Sequence, residues 1–134
     1  MGKRQGNDAG QKAKADACRE LARIGTKESV PVLAGMLADE KMNHMARYGL
    51  ETIPDPSVDV ALRDALATCK GRPLIGVIGS LGVRRDAQAV APLAKFLSDA
   101  DPMVADAAAR AIGSIGTSES GKVLLAALPG ASAA

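Results

Sequence analysis

The stretch Asp101–Thr117, DPMVADAAARAIGSIGT, decides the fold. Asp101 stands ahead of Pro102, placing a carboxylate cap before a proline at the first helical position, where no amide hydrogen is needed. Ala105, Ala107, Ala108, Ala109 and Ala111 follow, with Val104, Ile112 and Ile115 as the larger packing groups, so the segment predicts a helix that its neighbours approach closely. Gly116 supplies the left-handed turn residue that closes this helix without a side-chain clash, and Thr117 can accept bonds from the free amides of the next one.

Working outward, the same unit recurs. Ile24-Gly25-Thr26, Ile53-Pro54-Asp55, Leu81-Gly82-Val83 and Ile115-Gly116-Thr117 each separate two helical patterns, with Gly25 and Gly82 in the closing role of Gly116. Each second pattern carries an apolar pair at i, i+4: Leu33 and Leu37, Leu62 and Leu66, Leu93 and Leu97, Leu124 and Leu128. The steps from Leu33 to Leu62, Leu93 and Leu124 are 29, 31 and 31 residues, which is a repeat period. Thr26 caps like Thr117, and Asp55-Pro56 caps like Asp101-Pro102.

The pattern predicts about eight helices, over 12–24, 27–38, 41–53, 56–69, 72–81, 85–98, 102–115 and 118–128. They pair into units over 12–38, 41–69, 72–98 and 102–128 of one domain, 12–129, flanked by a disordered N-terminal segment (1–11) and a disordered tail (130–134). Helices this short are marginal alone in water. They must stack, so the expected fold is all-α, an α-solenoid of four helical hairpins with a core continuous from unit to unit.

Composition agrees and removes whole classes of function. Of 134 residues, 47% are apolar and 24% charged, with one Tyr, one Phe and no Trp, so Ala, Leu, Val and Ile rather than rings must fill the core. No apolar run approaches the ~18–20 residues of a membrane span, and no signal peptide is visible at the polar N-terminus. The expectation is a soluble, cytoplasmic chain with no membrane association. Residues 1–23 hold six basic and three acidic groups, leaving a body of net charge −1, which argues against a dedicated nucleic-acid binder. Cys18 and Cys69 lie far outside metal-knuckle spacing and read as free, buried thiols.

The segment Asp101–Thr117 resembles a HEAT repeat of the short bacterial type associated with phycobilisome lyases, and Ala17–Leu37 resembles another. The likeness covers about residues 12–128. It implies a HEAT-like solenoid that binds a protein or peptide partner or, alternatively, an accessory lyase-type protein holding a cofactor or chromophore. Many members carry Arg after the apolar residue at the Val104 position; the equivalents here are Lys14, Asn43, Gly71 and Ala105. Unit two has Pro54 where the others have glycine, and unit three has three additional residues around Val83-Arg84-Arg85, so its intra-unit loop or helix start should be irregular.

Enzyme chemistry finds no foothold in the sequence. The dinuclear-iron hydroxylases on similar repeats use several His-Glu pairs; the single histidine here, His44 beside Met42, Asn43 and Met45, makes no such site. Two aromatic rings furnish no base-stacking surface of the glycosylase kind. No Gly-Xaa-Ser-Xaa-Gly occurs, and Gly76–Gly82 sits in an apolar helical pattern with no preceding strand, so its glycines read as close packing rather than a phosphate loop. No catalytic residue, metal or cofactor is expected.

What remains is a binding surface. The second helices of the units should line one face, with Lys27, Glu28, Gly35, Arg63, Asp64, Lys95, Ser98 and Lys122 between small alanines such as Ala34, Ala38, Ala67 and Ala126. That mixed-charge face suits a protein segment better than a polyanion. Arg84 and Arg85 precede a helix N-terminus, the wrong end for positive charge unless Asp86 or a partner compensates. Two readings stay open for them: a partner contact, or a salt bridge to a neighbouring acidic loop. Arg47 and Tyr48 form a second candidate, with packing across a unit boundary as the alternative for Tyr48. The last helix, 118–128, is apolar on nearly every side and predicts self-association or continuation of the array.

Overall fold

The computed structural model describes residues 10, 12–17, 19–20 and 27–128. Residues 12–17 and 19–20 are helical, as the first unit requires. Gly25, Thr26, Cys18 and the tail 130–134 lie outside the described residues; of the segment expected to be disordered, only Gly10 is described, and it is helical.

A 3-10 turn, Lys27–Ser29, leads into α1 (Val30–Ala34). Next come α2 (Asn43–Thr52), α3 (Pro56–Ala65) and α4 (Gly71–Val83). The short α5 (Val90–Ala94) is flanked by 3-10 turns, Ala87–Ala89 and Lys95–Ser98, and α6 (Pro102–Ile115) and α7 (Ser118–Ala127) close the chain. No strand occurs among the described residues. The caps carry out the chemistry expected of them. Asp55 accepts from the Ser57 amide and Asp101 from the Met103 amide, each at 2.9 Å, and Thr117 forms a reciprocal capping box with Ser120. Gly116 ends α6 with φ of 66°.

The helices form two layers that step along an axis. In the first layer α2 packs on α4 and α4 on α6; in the second, α1 packs on α3 and α5 on α7. Each incoming first-layer helix also lies on the second helix of the unit before it: α2 on α1, α4 on α3 and α6 on α5. Leu33, Leu50, Leu62, Ile78, Leu81, Leu93 and Ile112 are fully buried in one continuous core. This is a HEAT-like α-solenoid.

Burial of the repeated leucine pair fades along the stack. Leu33, Leu37, Leu62 and Leu66 are buried, Leu97 and Leu124 are half-buried, and Leu128 is 53% exposed. No described residue stacks beyond the fourth unit, so its pair has fewer neighbours to exclude water.

The reading of Gly82 as a helix-closing residue is corrected. It lies inside α4, which runs on to Val83, and it is buried against α6. A Cβ placed there would stand 3.0 Å from Ala111 Cα and 3.1 Å from Ala111 Cβ. Gly82 therefore sets how closely α4 and α6 approach, the most extensive helix–helix contact among the described residues. The positive φ falls at Arg85 instead, at 53°, in the stretch where extra residues predicted irregularity.

Gly82→Ala should lower stability by about 1–3 kcal/mol, because overpacking against backbone outweighs the better helix propensity of alanine. Gly79→Ala, one turn earlier with nothing within 4 Å of the added carbon, should instead add up to about 1 kcal/mol. Urea unfolding of the two variants checks this; equal effects would show that the close approach does not govern the stack.

Candidate interaction surface

Helix α2 ends without the glycine that a left-handed cap uses. Ile53 is extended and Pro54 follows, so the last carbonyls of α2 need a donor from elsewhere. Arg84 supplies it from the next unit. Its Nη1 donates to Ile53 O at 2.7 Å and Glu51 O at 3.3 Å, with a longer approach to Leu50 O at 3.5 Å, and its Nη2 donates to Asp55 O at 3.2 Å. Its Nε donates to Asp59 Oδ1 at 2.6 Å and Nη2 to Asp59 Oδ2 at 3.3 Å, a two-pronged ion pair. Of the two readings for Arg84, the internal one is realised, although the acid belongs to α3 and not to a loop. Arg84 is corrected from a partner contact to an inter-unit clamp, because its donors are occupied inside the fold.

Arg63 is similarly engaged. Its Nη1 lies 3.3 Å from Asp86 Oδ2 and donates to Gln88 Oε1 at 2.9 Å, while Asp86 Oδ1 caps the turn that follows by accepting from the Gln88 amide at 3.2 Å. Arg47 belongs to a polar seam between α2 and α4. Its Nε donates to Asn43 Oδ1 at 2.6 Å, Glu51 Oε2 lies 4.0 Å from its Nη1, and the Ser80 hydroxyl donates to Glu51 Oε2 at 2.5 Å. Asn43 is buried and donates from Nδ2 to Leu37 O at 2.5 Å. Gly76 leaves the room for this seam, since a Cβ there would come within 2.7 Å of both Arg47 Cζ and Asn43 Oδ1. The seam stands where a family arginine was absent at position 43. Burial lowers the Arg47 pKa from its ordinary value, and Glu51 opposes that shift.

The six candidates are therefore not one patch. Arg47, Arg63 and Arg84 stitch neighbouring units together. Tyr48 is 60% exposed on α2 rather than packed across a boundary, and Lys95 is exposed where α5 passes into its 3-10 turn. Arg85 is exposed and lines a groove between α4 and α6. This groove, about 620 Å³, has Gly79, Gly82, Ala107 and Ala111 along it, Met103 and Val83, 67% and 66% exposed, toward its two ends, and Arg85, Asp106 and Arg110 among its polar lining. Composition could not reveal it, because it lies between the first helices and not on the expected second-helix face.

That second-helix face also holds clefts. One of about 500 Å³ is lined by Lys27, Glu28, Ala34 and Asp64 with Val60, and another of about 350 Å³ by Gly35, Ala38 and Asp64. Arg63, Lys95 and Lys122 line neither. Elsewhere, His44 is exposed with Nδ1 3.5 Å from Arg47 Nη2, and no group of three or more His, Cys, Asp or Glu among the described residues is placed to hold a metal ion. Cys69 is a free, buried thiol whose pKa burial pushes up, a shift that a bond to Thr68 partly offsets. No helix among the described residues is long and apolar enough to cross a membrane.

Residues 74–133 match the family model of HEAT repeats, a span that takes in most of unit three and all of unit four. The match, on a stack built as described, supports a place for the chain in a HEAT-repeat family. A comparison with curated proteins found no match.

Arg84→Met should destabilise the protein by about 2–4 kcal/mol, since it leaves Asp59 and the α2 carbonyls without their donor. Arg85→Gly should do the opposite, adding about 0.5–1 kcal/mol by relieving left-handed backbone. Urea unfolding of both tells them apart, and an Arg84→Met protein as stable as the parent would remove the clamp.

Proposed function

We propose that this protein is a non-enzymatic scaffold that holds a partner polypeptide on its solenoid surface. HEAT repeats generally mediate protein–protein interaction or scaffolding, and the match to residues 74–133 brings that prior to this chain. The observation that carries the reading is the open apolar groove on the stack, whose lining residues Val83 and Met103 are two-thirds exposed. Large apolar side chains left exposed along a groove mark an interaction site more often than an idle surface. The same reading gives the protein no catalysis of its own and a cytoplasmic setting; the alternative, which the likeness of Asp101–Thr117 to short bacterial, phycobilisome-lyase-like repeats supports, is an accessory lyase-type protein holding a cofactor or chromophore.

The end of the stack supports self-association as a second part of the same reading. Leu125 is 64% exposed and Leu128 53%, beside half-buried Leu124, on the face where the fourth unit presents no further described helix. A second copy covering 118–128 would remove that surface from water.

Affinity capture from cells of the source, with the full chain as bait, should retain a polypeptide that rebinds after purification. Stable retention of a chromophore or small ligand, seen by absorbance and mass spectrometry, with no polypeptide, would overturn the scaffold reading in favour of a lyase-type protein. For the second part, sedimentation at several concentrations should show mass rising with concentration, and Leu125→Lys should abolish the rise. A strictly monomeric parent would end that part alone.

A further inference from the structure

The geometry of the groove between α4 and α6 points to a specific occupant: we propose that it docks a short amphipathic helix of a protein partner, with the helix's apolar ridge lying along the trough from Met103 to Val83 and a carboxylate of the helix paired to Arg85. The inference rests on the scaffold reading and names the chemistry of the partner.

Shape is the first argument. Gly79, Gly82, Ala107 and Ala111 line a trough with small side chains, with exposed Met103 toward one end and exposed Val83 toward the other. A small-residue trough between two helices takes a ridge of side chains from a third, the way helices pack. From Ile75 to Val83 the trough follows α4 over nine residues, about 12 Å for the eight steps at ~1.5 Å each, or a little over two turns. Both walls are helices whose backbone groups are already bonded along the helix, so an extended segment would find no sheet edge to join.

Charge is the second argument, and it selects among helices. Arg47, Arg63, Arg84 and Arg110 each have a carboxylate within 4.0 Å: Glu51, Asp86, Asp59 and Asp106 in turn. Arg85 makes no side-chain hydrogen bond or ion pair among the described residues, yet it lines the groove. With Asp106 paired to Arg110 at 2.9 Å, the groove is left with one uncompensated guanidinium. A carboxylate one turn from the apolar ridge of the ligand would complete it, bidentate if the geometry allows. A basic or neutral helix would leave that cation uncompensated.

The test uses the full chain as bait for a phage-displayed library of helix-forming 14-residue peptides. The consensus should hold two apolar residues at i, i+4 and an Asp or Glu, and the peptide so selected becomes the probe for fluorescence anisotropy. Met103→Asp should weaken the probe at least about tenfold, equivalent to ~1.4 kcal/mol. That variant should stay folded, because Met103 is exposed in the first turn of α6, where an acidic residue is favourable. Arg85→Gly should weaken binding about fivefold while the protein melts higher, a combination that loss of structure cannot produce. Selection repeated on Arg85→Glu should exchange the acidic residue of the consensus for Lys or Arg. A consensus without an acidic residue, or a probe indifferent to Met103→Asp, overturns the proposal. So does tight uptake of dodecanoate by the groove with no helical consensus, which would assign it to a free fatty acid. The scaffold reading would survive any of these provided the captured polypeptide still binds, so the two failures are distinguishable.

Discussion

None of these helices can stand alone. Helices α1 and α5 span only Val30–Ala34 and Val90–Ala94, and even α6 is near the length at which isolated helices become marginal in water. Each must bury a face against the next unit, and the closeness of that contact governs what else the molecule can be. Between α4 and α6 it is set by Gly82 against Ala111. Larger residues there would push the helices apart and open the core. The same economy of side chain that closes the inner contact leaves a trough on the outer side, so the groove is a by-product of how the layer is packed.

Apolar stacking brings the units together, and a small set of polar side chains fixes their register. Pro54 denies α2 a glycine cap, and Arg84 of the following unit satisfies the carbonyls thereby exposed. The two departures from the repeat, a proline in unit two and extra residues in unit three, are thus halves of one solution. Arg47 with Glu51 and Ser80, and Arg63 with Asp86, tie the same two units at other heights. Pairs this sheltered contribute chiefly through what would be left unpaired without them. They make slippage between units two and three costly, a constraint that apolar side chains alone would impose only weakly.

Local periodicity made the fold legible. The leucine pairs, the Asp-Pro caps and the Gly116 stop each act within about one or two turns of helix, and the chain carries them in order. The surface was much less legible. Arg84 finds its partners 25 to 34 positions back, Asp59 and Leu50 among them, and no local pattern encodes that reach. Gly82 stands at the repeat position of a closing glycine, but α4 continues past it, so only the packing of α6 reveals its role. Pro54 beside a surplus arginine was the one signal that could have pointed to the clamp, through the unsatisfied carbonyls it implies.

Arg84 and Arg85 are adjacent in sequence and opposite in fate, and the backbone explains why. Helix α4 ends at Val83; Arg84 keeps helical backbone at φ −79° and reaches back to α2 and α3, whereas Arg85 turns to φ 53°. Left-handed backbone costs a non-glycine residue about 1–3 kcal/mol. At this turn a glycine would fold at least as well, so the intramolecular contacts of the arginine side chain do not account for its place. What its side chain does show is an exposed charge at the margin of an apolar trough, while Arg47, Arg63, Arg84 and Arg110 are each paired to a carboxylate within the fold. A residue that strains its backbone and whose side chain makes no hydrogen bond or ion pair among the described residues is best understood by what it lines, and Arg85 lines the groove.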